Sequence, residues 1–128
     1  MIAVQTKLEK KELILPDNSK VFLNINSELT YPEEFKEDSR IVGLKGEAFF
    51  EVERNKSKPF IIEIGKVSTK VLGTSFTINA YDEKVKINVI SGKVEFFNTN
   101  KPSSKVILTK NQKAEFVSGN IIKKENTV

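Results

Sequence analysis

The chain has no cysteine, no histidine and no tryptophan. Without Cys and His there is no thiol nucleophile, no Ser-His-Asp triad, no imidazole base near neutral pH and none of the usual zinc sets. Carboxylates are the only acid-base groups left, and no catalytic residue, cofactor or metal is expected. The lack of Cys leaves the compartment open, since Cys-free domains occur in reducing and oxidising surroundings alike. No stretch approaches the roughly 20 apolar residues that cross a bilayer, and Met1-Ile2-Ala3-Val4 runs at once into Gln5-Thr6-Lys7. Arginine is scarce too. Of 21 Lys+Arg only Arg40 and Arg54 are Arg, and the lysines alternate with acids, as in KLEKKE. The formal charge of +4 therefore reads as solvated strand faces and not as a nucleic-acid footprint.

What is present is a period of two. Val21, Leu23 and Ile25 alternate with Phe22, Asn24 and Asn26, and Phe60, Ile62 and Ile64 with Ile61 and Glu63. The same beat runs through Val67-Thr69-Val71, Phe76-Ile78-Ala80 and Val85-Ile87-Val89. Turn chemistry separates these runs: LPDNS from Leu15, NKSKP from Asn55, YDEK from Tyr81, NTNKPSS from Asn98 and SGN from Ser118. In 128 residues this predicts a single all-β domain, a stacked antiparallel or solenoid-like β-sandwich of short strands with little or no helix. Residues 1–10 and 123–128 are expected as flexible ends. YPEEFKEDSR, from Tyr31, suits one helical turn or a wide loop. An internal echo aligns Leu44 to Phe50 with Ile90 to Phe96 and, more weakly, with Gln112 to Phe116. Glycines recur at 46, 65, 92 and 119, which suggests a stacked repeat.

Each candidate motif has a structural reading. Glu33, Glu34, Glu37 and Asp38 are dense enough for Ca²⁺, but they lack a Ca²⁺-loop spacing and are interrupted by Lys36, so a solvated loop is expected. LGTSF, from Leu72, lacks the phosphate-loop pattern and precedes a strand, which makes it a bend or bulge. In LPDNS, Pro16 sets the turn entry, Asp17 reaches the backbone two residues on, and Asn18 accepts a left-handed conformation. In GEAFFEV, Ala48, Phe50 and Val52 share one face while Glu47, Phe49 and Glu51 share the other. Phe50 is expected in the core. Phe49 is expected either beneath a neighbouring loop or available to a partner.

Taken in order, LPDNSKVFLNINSELTYPEEF, RIVGLKGEAFFEV, KPFIIEIGKVSTKVLGTSFTINAY, VKINVISGKVEFF and LTKNQKAEF resemble the periplasmic domain of the FecR family of anti-sigma regulators, in the versions common in Bacteroidetes. The residues that carry the resemblance are Pro16, Asp17, Gly46, Glu47, Phe49, Phe50, Pro59, Phe60, Gly73, Thr74, Phe76 and Gly92. Asn18 departs from the family's Gly in the LPDG turn. The resemblance implies a protein-binding domain and no enzyme. It would be excised from a regulator that is anchored in the inner membrane and would stand in the periplasm. There it would relay the state of a TonB-dependent outer-membrane receptor, through that receptor's signalling domain, to an extracytoplasmic-function sigma factor. The sigma factor would be held by a cytoplasmic segment absent from this chain. The alternative is a periplasmic or surface carbohydrate-binding β domain, with exposed aromatics beside Asn and Asp.

Overall fold

The structure, a computed structural model, describes residues 1–125. Its thirteen strands are β1 (Ile2–Gln5), β2 (Lys11–Ile14), β3 (Lys20–Leu23), β4 (Glu28–Tyr31), β5 (Arg40–Glu51), β6 (Phe60–Ile64), β7 (Val67–Val71), β8 (Ser75–Ala80), β9 (Val85–Ser91), β10 (Val94–Asn98), β11 (Lys101–Leu108), β12 (Gln112–Val117) and β13 (Asn120–Glu125). A first sheet runs β1-β4-β5-β6-β7-β10-β11 and a second runs β2-β3-β5-β8-β9-β12-β13, so the 12-residue β5 belongs to both. Every pair is antiparallel except β5 with β6. From β6 onward hairpins alternate between the sheets: β6-β7 and β10-β11 in the first, β8-β9 and β12-β13 in the second. The expected stacking is present. The ends expected to be flexible carry strands, β1 on β4 and β13 on β12, while residues 126–128 lie outside the described residues.

β5 carries the core of both layers. Its even positions from Arg40 to Phe50 all point inward, which a strand allows only if its alternation survives the passage between sheets. Gly46, at φ 94°, makes that passage: residues 40–45 pair in the first sheet and 46–51 in the second. A Cβ on Gly46 would lie 2.2 Å from Ser27 Oγ. Gly92, at φ 86°, turns the chain from β9 to β10 in the same way, with Thr74 Cγ2 only 2.5 Å from a would-be Cβ. The sequence echo between 46 and 92 thus marks two sheet-to-sheet corners, each followed by a fully buried Phe, Phe50 or Phe96. Gly65 and Gly119 are open hairpin tips with nothing near, so the equal spacing of 27 residues from Gly65 to Gly92 and from Gly92 to Gly119 joins unlike positions and is no repeat unit.

Arg40 closes one end of the sandwich. Its side chain is only 2% exposed. It lies 5.3 Å from the Phe60 ring centroid and donates to Asp17 Oδ2 (2.8 Å), Lys58 O (2.7 Å), Glu53 O (2.8 Å) and Leu72 O (3.4 Å). Asp17 in turn accepts from the Ser19 N–H and hydroxyl, and Ser19 Oγ accepts from the Glu53 N–H. Four acceptors distant in sequence from Arg40 are tied to one guanidinium, whose planar fork supplies the donors that a single Lys ammonium lacks. Residues 32–39 form a loop without helix, pinned where Phe35 packs edge-on to Phe60 at 6.1 Å. One run is shorter than its periodicity suggests: β3 stops at Leu23. Asn24 Oδ1 accepts the Ile25 N–H, Asn26 is left-handed at φ 48°, and Ile25 is exposed.

Two stability measurements follow from this arrangement. Asp17→Ala, which strips a buried cation of its counter-charge, is expected to cost about 3–5 kcal/mol in urea melts, against under about 0.5 for exposed Lys36→Ala. Equal small losses would show that the knot is slack. Gly46→Ala is expected to cost about 3 kcal/mol, from left-handed strain plus overpacking, and Gly65→Ala about 1. Comparable losses at both would remove the distinction between corner and tip.

Candidate functional site: an aromatic face on the second sheet

Phe49 and Phe50 divide as strand alternation requires. Phe50 is fully buried, stacked on Phe76 with centroids 5.2 Å apart and set edge-on to Phe60 at 6.5 Å. Phe49 points outward from the second sheet, and its cover is a ring, not the expected loop. Phe22, its cross-strand partner on β3, lies 5.6 Å away and is itself 36% exposed. Such a pair contributes about 0.5–1.5 kcal/mol beyond its buried area, yet it leaves apolar surface toward solvent. Beside it opens a hollow of 410 Å³, lined also by Lys10, Lys11, Glu12, Glu47 and Thr77.

Glu47 braces this face. Its carboxylate accepts the Asn24 Nδ2 amide at 2.6 Å and the Asn79 Nδ2 amide at 3.4 Å, while its N–H donates to Ser27 Oγ and its C=O accepts from the Asn24 N–H. Glu12 stands opposite Phe22 on β2, and Glu47 lies two residues before Phe49 on β5, so the two acids flank the ring pair from different directions. A binding surface fits this layout better than acid-base chemistry, which needs two carboxyls converging on one bond. It also weighs against the carbohydrate reading, because the Asn24 and Asn79 amides beside the rings are already engaged.

The other residues of the sequence resemblance lie elsewhere and hold the frame. Pro16 and Asp17 form the turn bound to Arg40, with Asn18 left-handed at φ 71°. The C=O of Pro59 accepts the Arg40 N–H at 2.7 Å, and Phe60 and Phe76 extend the buried aromatic line. Gly73 lets the bend before β8 pass within 2.6 Å of Arg54 Cα, measured from a would-be Cβ, and Thr74 packs into the space left by Gly92. Glu33, Glu34, Glu37 and Asp38 stay exposed in their loop; no group of three His, Cys, Asp or Glu among the described residues is arranged to hold a metal. Sequence reasoning missed two partners. In the sequence Arg40 reads as a cation beside the acids of its loop, although it keeps phase with Val42 and Leu44, and nothing local matches Phe22 to Phe49, although both occupy the polar phase of their strands.

Residues 3–95 match the model of the FecR protein family. The chain belongs to the FecR family. No curated protein matches it. Among solved structures it is similar to a candidate anti-sigma factor from Parabacteroides distasonis ATCC 8503, in crystals at 1.65 Å and 2.50 Å resolution. The first has a TM-score of 0.90 at 38% identity, over 98% of this chain and 60% of that one. The second has a TM-score of 0.89 at 38% identity, over 97% and 59%. The chain thus spans about 60% of the length of the solved relative. Within this FecR domain the aromatic face lies inside the family match, whereas β11 to β13 lie beyond it.

Phe50→Ala is expected to cost about 3–5 kcal/mol and Phe49→Ala about 1–2 by denaturant melts. Equal large losses would make Phe49 a core residue and remove the exposed face.

Proposed function

We propose that this FecR domain is the periplasmic, signal-receiving part of a regulator anchored in the inner membrane. It takes the state of a TonB-dependent outer-membrane receptor from that receptor's signalling domain and passes it on by protein-protein contact. The output is an extracytoplasmic-function sigma factor held by another segment of the regulator. The domain, 1–128, works as one β unit and does no covalent chemistry. One observation supports this reading most: the Phe22–Phe49 pair stays outside a core already filled by Phe50, Phe60, Phe76 and Phe96. An apolar patch kept outside a complete core is the ordinary mark of an interaction site. The knotted frame beneath suits a domain that acts on a partner's two-state equilibrium through differential contacts.

The test is a titration of this domain against the signalling domain of the receptor encoded beside its gene. Wild-type binding is expected, with at least tenfold weakening in Phe22→Ser/Phe49→Ser and none in Glu33→Gln. Failure of this domain to bind, when a form extended beyond Val128 does bind, would move recognition out of these residues. Failure of both forms would sink the receptor reading.

A further inference from the structure

The Phe22–Phe49 pair is one end of a longer feature. Register across the second sheet sets Phe22, Phe49, Thr77, Asn88, Lys113 and Lys124 in one row over β3, β5, β8, β9, β12 and β13. The next row sets Glu47, Asn79, Lys86 and Glu115 side by side. All of these project from the face away from the core. A second hollow, of 300 Å³, lies between Asn79, Lys86, Asn88, Lys113 and Lys124, and Thr77 lines both hollows, so the two are neighbours on the same face. The face carries the ring pair at one end, bordered by Lys10, Lys11, Glu12 and Glu47, and a group of lysines at the other. Glu115 is the acid among those lysines, and it is engaged by Lys124 at 3.3 Å. Lys86 and Lys113 have no ion-pair partner among the described residues.

We propose that this outer face is a two-part docking surface for an acidic protein segment that carries an apolar anchor, the anchor on Phe22–Phe49 and the carboxylates on Lys86 and Lys113. This deepens the reading of the domain as a protein-binding unit and rests on it. Charge complementarity selects the occupant, since unpaired lysines flanking a groove attract anions and like charge is repelled. Geometry sets the spacing. Phe49 and Lys113 are three strand steps apart, about 15 Å at the usual separation, which four to five residues of extended chain span. A nucleic acid fits less well, because the cationic end has no Arg and its aromatic neighbours pack on each other instead of offering free faces for bases.

The probe is a fluorescein-labelled peptide with Leu-Phe, four Gly/Ser residues, then Glu-Glu-Asp, titrated by anisotropy at several salt concentrations. Binding is expected to weaken at least tenfold in Lys86→Gln/Lys113→Gln, with a shallower salt dependence. Phe22→Ser/Phe49→Ser should weaken it equally but keep the salt slope. Each variant is first shown by thermal melt to be fully folded at the titration temperature; the ring substitutions are expected to lower the midpoint and the lysine substitutions to leave it in place. No binding by wild type up to millimolar peptide, or unchanged binding by the lysine variant, would overturn the proposal. So would tighter binding of a single-stranded oligonucleotide or of phosphatidylglycerol vesicles through the same lysines. Receptor binding that survives the lysine substitutions would overturn this face and leave the receptor reading standing. Peptide binding without receptor binding would do the reverse.

Discussion

Arg40 stands where the chain passes repeatedly between the two sheets, and the rest of the fold depends on its being satisfied. A guanidinium brought into a protein interior loses several kcal/mol of hydration unless its donors are met. Here they are met by Asp17 and by the carbonyls of Lys58, Glu53 and Leu72, all from segments that are not strands. The Glu53-to-Lys58 and Leu72 segments join strands of different layers, and the Asp17 turn joins β2 to β3 within the second sheet. The cation therefore does what a disulfide does in other small β domains, in a chain that has no cysteine. Mutual dependence follows: Asp17 holds its place through Ser19, Ser19 holds Glu53, and Gly73 lets the Leu72 bend lie against Arg54.

With one end tied in this way, β5 can serve both layers. Continuous inward alternation through Gly46 gives a single core, and the aromatic line Phe35–Phe60–Phe50–Phe76 crosses it from the first sheet to the second. Such a core leaves the outer faces free of structural duty. On the second sheet that freedom is taken up by a ring pair, a carboxylate fixed by two amides, and lysines. A knotted frame with a chemically varied outer face suits the contact-driven role proposed for the domain, since positioning side chains in advance lowers the entropy lost on binding.

Much of this was legible before the structure. Period two located most strands, the turn residues located the hairpins, and the Asp17 and Asn18 chemistry of LPDNS turned out as turn rules require. The division of Phe49 from Phe50 followed from alternation alone. Other signals misled for stated reasons. Ile25 keeps the beat of β3, but Asn24 and Asn26 offer the backbone local bonds and a left-handed turn that end the strand. The glycine interval counted hairpin tips together with corners, because a positive φ serves both.

Sequence by itself determined the all-β class, where most turns fall and which side of each strand is apolar, since these rest on interactions within a few residues; the family followed from the order of motifs along the chain. Only the tertiary structure decided that β5 is shared, that Arg40 is a buried knot, and that Phe22 covers Phe49 in a row ending at Lys113 and Lys124. Each of these is a matter of which strand lies beside which. Alternation fixes the face on which a side chain stands; the neighbour it meets there is chosen by pairing across long separations, where many registers satisfy the same local pattern.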